Sequence, residues 1–117
     1  MAVNKALGEK GERLAMWYLR LKGYKIIARN FSSPSGEIDL IAKDKDTLVF
    51  VEVRSKSSIE YGRPEETVDQ RKQQKIKQTA RYYLHQTHQE DIYCRFDVVA
   101  IVWQGRRTEI TLYQDAF

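Results

Sequence analysis

Two carboxylates stand in apolar, strand-like surroundings: Asp39 between Ile38 and Leu40, and Glu52 between Val51 and Val53. A lone buried charge costs roughly 3–5 kcal/mol unless it is paired, hydrogen-bonded or bound to a metal. Both belong to residues 36–56, GEIDLIAKDKDTLVFVEVRSK, which read as two strands joined by the polar turn Asp44, Lys45, Asp46. Side chains alternate along a strand. Glu37, Asp39 and Ile41 are therefore expected on one face, and Ile38, Leu40 and Ala42 on the other. On the next strand Leu48, Phe50, Glu52, Arg54 and Lys56 share a face, opposite Val49, Val51 and Val53. Pairing through the turn sets Asp39 opposite Glu52, and a slip of one residue would reverse the face.

Carboxylates this close repel unless a cation stands between them. A hard divalent ion, Mg²⁺ or Mn²⁺, takes one or two carboxylates, keeps several waters and accepts phosphate oxygens. It can activate a water and stabilise charge on a phosphate under attack. Arg54 and Lys56 add positive charge on the Glu52 face, and Glu12 adds a third carboxylate if its helix packs beside the strands.

The elements that must position these groups follow from hydrophobic periodicity. Residues 5–22 read as a helix, with Leu7, Leu14, Ala15, Tyr18, Leu19 and Leu21 at helical spacing. Asn4 suits its cap, Gly23 suits its C′ position, and Gly8 and Gly11 suit close packing on a sheet or, equally, a frayed first turn. Strands are expected at 24–31, 36–43, 47–54, 91–103 and 108–113. The run Leu48, Val49, Phe50, Val51 suggests a central strand buried on both faces. A polar loop at 55–66, containing Tyr61 and Gly62, leads to a second helix at 67–86. Its apolar stripe is Val68, Ile76, Ala80, Tyr83 and Leu84. Arg71, Lys72, Lys75, Lys77 and Arg81 on that helix have no acid among them. Such a helix repels itself slightly, and phosphate contact by Arg71, Lys72 and Lys75 would relieve the repulsion in a salt-sensitive, sequence-tolerant way. The order is αβββαββ, an α/β fold with a mixed sheet flanked by helices and a crossover through the second helix.

The chain has 117 residues, expected as a single domain over 1–117, and a net charge of +4. Cys94 is the only cysteine, so no intrachain disulfide or CxxC zinc pair can form, and a reducing compartment is expected. No apolar run is long enough to span a membrane and the first residues lack a secretory apolar core. No membrane partner and a cytoplasmic location are the resulting expectations.

The segments GEIDLIA, FVEVR, YGRPEETVDQRKQQKI and RFDVVAI, with GEKGE at 8–12, resemble the YraN-like family of small bacterial proteins. That family resembles a branch of the PD-(D/E)xK nuclease superfamily near the Holliday-junction resolvases. The resemblance covers almost the whole chain and implies a restriction-endonuclease-like αβββαβ core. It places the superfamily's metal-binding Asp on Asp39, the Glu of the ExK motif on Glu52 and the helical Glu on Glu12. The ExK lysine falls on Arg54, and Lys56 can reach in from the strand end. Arginine keeps the charge but is planar and effectively never deprotonates. By analogy with resolvase-like relatives, a homodimer is expected.

Other polar residues have simpler expected roles. Glu37 is expected at the site's periphery, Asp97 in a structural pair with Arg95 or a lysine, and His85 and His88 as a surface pair. Cys94 is expected to be buried, and Trp17 and Trp103 to pack in or beside the core. The leading expectation is a Mg²⁺-dependent endonuclease on DNA. The alternative is a catalytically inactive module of the same fold that binds branched or single-stranded nucleic acid, which Arg54 favours. A third is a protein-interaction domain in which the carboxylates pair with basic residues.

Overall fold

The computed structural model describes residues 2–57 and 64–117, with side chains over 8–57 and 65–117. The expectations for Asn4 and Leu7 as side chains, and for Tyr61 and Gly62, fall outside that range. Helix α1 (Ala2–Leu21) precedes β1 (Lys25–Ser33), β2 (Gly36–Asp44) and β3 (Thr47–Lys56). A 3₁₀ turn, Pro64–Thr67, leads to α2 (Gln70–Gln86), then β4 (Cys94–Gln104) and β5 (Arg107–Tyr113).

The five strands form one sheet in the order β1-β2-β3-β4-β5. Only β3 and β4 are parallel, joined by the α2 crossover; the other neighbours are antiparallel. This αβββαββ arrangement matches the restriction-endonuclease-like core that the resemblance implied, with β5 added at the edge. No helix among the described residues is long and apolar enough to cross a membrane.

The helices cover opposite faces. Ala15, Met16 and Leu19 of α1 pack with Leu40, Ala42, Val49, Val51, Val99 and Ile101. Ile76, Ala80 and Tyr83 of α2 pack with Ile38, Ile41, Leu48, Phe50 and Val98. Central β3 is thus apolar on both sides, and each fully buried Leu, Ile or Phe contributes roughly 1.5–3 kcal/mol. Gly11 lets α1 approach the sheet, since a Cβ there would stand 3.4 Å from Ser55 Oγ. Gly23 ends the helix at φ +94°, with Tyr24 N donating to Leu19 O at 2.9 Å.

Four local expectations are corrected. The second helix begins at Gln70 rather than 67, because Asp69 caps it by accepting from Lys72 N at 2.9 Å. Cys94 is exposed at the first residue of β4, and Trp17 is exposed on α1. Ile38 lies on the α2 side with Ile41, not with Leu40 and Ala42. Alternation fails there because Asn30, between the paired residues Arg29↔Leu40 and Phe31↔Ile38, takes φ +51° and re-aims both strands.

Asp97 is structural, as expected. It is fully buried, accepts from Arg95 Nε at 2.9 Å and from Tyr24 OH at 2.7 Å, and caps Asp115 N at 3.0 Å. Arg95 also reaches Asp44 at 3.0 Å, tying the β2–β3 turn to β4.

Candidate active site

The site is made by a fork in the sheet. The β2–β3 ladder runs from Asp44↔Thr47 to Leu40↔Val51 and ends there, whereas β3 continues beside β4 to Lys56↔Val102. Asp39 and Glu52 are the next residues on the two parting strands. Their register is the expected one. Val53 N, which has lost its β2 partner, donates to Asp39 Oδ2 at 2.8 Å. The aspartate therefore closes the fork and is fixed by it.

Glu52 is 3% exposed, on the α2 side above Phe50. Two cations approach the same oxygen: Arg54 Nε and Lys72 Nζ each lie 3.5 Å from Glu52 Oε2. Lys72 sits in the first turn of α2, where a positive charge opposes the helix dipole by about 0.3–1 kcal/mol. Glu52 offsets that cost. Arg54 is turned toward the 3₁₀ segment, where Nη2 donates to Thr67 O at 3.2 Å. Its shielded Nε has no hydrogen-bond acceptor among the described residues.

Burial, and then the charge of Glu52 hydrogen-bonded beside it, pushes the Asp39 carboxyl up to about 8. Val53 N–H and Lys72 oppose the shift. Without a cation between them the pair thus holds a proton at neutral pH. Glu12 is also raised, first by burial and then by the charge of Asp39, so the α1 carboxylate does reach the electrostatic field of the fork.

Asn30 links the acidic residues on the other side. With its amide nitrogen facing the carboxylates, it donates to Glu12 Oε1 at 3.1 Å and Glu37 Oε1 at 3.2 Å. Asn30 is not among the residues that motif and spacing single out. Its signal was an Asn inside the strand KIIARNFSS, since Asn is depleted in strands and enriched at positive φ. Among the described residues, no group of three or more His, Cys, Asp or Glu converges as an ion site. Asp39 and Glu52 are brought together as a pair, and Glu12 stands across Asn30 from them.

The remaining expected residues distribute as follows. Lys56 ends β3 beyond Arg54, on the stretch paired only with β4. Arg71 and Lys75 are exposed on α2 to either side of Lys72. His85 and His88 are surface residues, with His85 Nδ1 3.5 Å from Glu90 Oε1.

The family described as uncharacterised protein family UPF0102 matches residues 11–101, the span that holds Glu12, Asp39, Glu52, Arg54 and Lys72. The chain belongs to this family. It is 44% identical over 114 residues to a UPF0102 protein of Geobacter metallireducens, covering 97% of this chain and 93% of that one. A UPF0102 protein of Persephonella marina is 50% identical over 95 residues, covering 81% and 82%. One from Syntrophus aciditrophicus is 41% identical over 117 residues, covering 100% and 92%. UPF0102 membership and the nuclease-like fold agree with the sequence resemblance at the level of family and architecture. These names specify no reaction.

Proposed function

We propose that this UPF0102 chain is a metal-dependent nuclease that hydrolyses nucleic-acid phosphodiesters, with DNA as the substrate. The observation that carries the reading is the Asp39–Glu52 pair at the sheet fork, held by Val53 N–H and flanked by Lys72. The residues fit a hard divalent cation. Two carboxylates are drawn so close that burial and mutual repulsion hold a proton on the pair, and their oxygens are the donors Mg²⁺ and Mn²⁺ prefer. Such an ion, when bound, supplies Lewis acidity to the phosphate and acidifies a coordinated water.

The chain's own residues have distinct parts. Asp39 and Glu52 would hold the ion, and Val53 N–H keeps Asp39 aimed into the fork. Glu12, steadied by Asn30, keeps a further carboxylate near Asp39. Lys72 Nζ brings a compact charge to the oxygen that Arg54 also contacts, and takes the part expected of the missing motif lysine. Arg71 and Lys75 beside it would contact the flanking phosphate backbone. The reading places the protein with nucleic acid in the cytoplasm.

Cleavage of branched, single-stranded and duplex DNA with Mg²⁺ or Mn²⁺ tests the assignment. Asp39→Asn and Glu52→Gln should each abolish cutting; activity surviving both changes would remove these residues from the reaction. The second reading, a non-catalytic nucleic-acid-binding module, is favoured by one observation. Arg54, in the motif lysine's place, is engaged by the Thr67 carbonyl. It predicts metal-independent binding, no cleavage and no heat on Mn²⁺ titration.

A further inference from the structure

A second feature lies on the α1 face, away from the carboxylates. A groove of about 720 Å³ runs between α1 and the β4–β5 hairpin, and Lys10, Arg13, Trp17 and Trp103 line it. Positions 10, 13 and 17 share one helix face. Trp17 is 57% exposed, although a large aromatic is normally covered. Lys10 Nζ stands 4.8 Å from the centre of the Trp103 ring. Among the described residues no carboxylate lines the groove: Thr108 and Ile110 face it, and strand alternation turns Glu109 to the other side.

The groove and the fork lie at the same end of the sheet. Trp103 follows Val102, the partner of Lys56 at the end of β3, and Gly11 rests against Ser55. Exposed indole beside the cations Lys10 and Arg13 complements a ligand that is both aromatic and anionic. A nucleotide whose base is unpaired has those two properties, and stacking on an aromatic ring tolerates any base.

We propose that this groove is a subsite for an unpaired nucleotide of the nucleic acid bound at the fork. The base stacks on Trp17, and Lys10 and Arg13 hold the phosphates on either side. The inference rests on the nucleic-acid reading above, and it makes single-stranded and branched substrates preferred over continuous duplex.

The chain has two tryptophans and both line the groove, so indole fluorescence reports on it alone. The experiment titrates the full chain, at low salt and without metal, with a dye-labelled oligothymidylate and with a blunt duplex of equal length. Anisotropy and indole quenching are read together. The oligothymidylate should quench the indoles with the midpoint that anisotropy gives. Trp17→Ala should weaken it by about five- to 150-fold, the loss expected for one base–aromatic stack. Duplex binding should change less than two-fold, and Trp17→Phe should restore most of the difference. Lys72→Ala serves as the variant at the fork. Nucleic-acid binding that Lys72→Ala weakens but that shows no quenching, or loses equally on both ligands with Trp17→Ala, overturns the subsite and leaves the fork reading standing. Absence of binding to either ligand by the unmodified chain overturns both.

Discussion

Asp39 Oδ2 accepts from the backbone N–H of Val53 at 2.8 Å, one residue past Glu52, where the β2–β3 ladder has just ended. A side chain thus takes over from a strand carbonyl. The consequence is electrostatic as well as geometric. An aspartate anchored there cannot swing away from Glu52, so burial and the neighbouring charge act on it at close range.

That proximity makes stability depend on pH. The folded Asp39 carboxyl releases its proton near pH 8, far above its ordinary value. Between those limits the native state binds more protons than the unfolded one, so stability falls as pH rises through the window and levels off above it. Urea unfolding at pH 5, 7 and 9 should show the decline, on the order of 1 kcal/mol per pH unit where it is steepest. Asp39→Asn should flatten it and be the more stable protein at pH 9. An unchanged slope in the variant would assign the proton elsewhere.

The same proton gives a metal readout independent of catalysis. If Asp39 and Glu52 hold Mn²⁺, binding at pH 7 must expel the proton they retain. Calorimetric titrations in buffers of different ionisation enthalpy should then report a proton release approaching one per site. Asp39→Asn should lose both the release and the affinity. Tight Mn²⁺ binding with no linked proton would place the ion away from this pair.

Asn30 carries two separable duties: positive φ and an amide shared by Glu12 and Glu37. Asn30→Gly keeps the backbone and loses the amide; Asn30→Ala loses the amide and strains the backbone by about 1–2 kcal/mol. Alanine should therefore be the less stable of the two in denaturant melts. Equal melts for the two variants would show that the turn of the chain at Asn30 carries no strain.

Much of this was legible in sequence because it rests on period-two and period-3.6 patterning. The element order, the central position of β3 and the register through Lys45 and Asp46 all follow from it. Glu52 on the Phe50 face did too. Alternation misplaces Ile38 because it assumes a regular strand, and the irregularity lies beside Asn30 of the neighbouring strand. Residue type alone assigns Trp17 to packing, yet its position on α1 faces a groove that the β4–β5 hairpin leaves open. Helix charge alone makes Lys72 a phosphate contact. Its approach to Glu52 depends on Asp69 starting the helix at Gln70, a tertiary fact that charge counting does not contain.

Lys72 and Arg54 share one oxygen of Glu52 but differ in what else holds them. Arg54 is tied to the Thr67 carbonyl, whereas Lys72 reaches the site on a flexible stem from α2. Lysine is a compact charge whose pKa shifts readily, and arginine is a planar group that does not deprotonate. On the nuclease reading, Lys72→Ala should lower kcat by about 10²-fold or more, the loss typical of removing one preorganised charge from a reacting phosphate. Its stability should move by less than about 1 kcal/mol, because the lysine end of the pair is partly exposed and Arg54 remains beside Glu52. Lys72→Arg should restore substrate affinity without restoring kcat. Arg54→Ala should act in the opposite sense, lowering the urea midpoint by releasing the 3₁₀ segment while sparing most of kcat. Single-turnover cleavage and urea unfolding on the same preparations separate the two residues. A loss of kcat confined to Arg54→Ala would return the motif's role to the strand residue and reduce Lys72 to a phosphate contact.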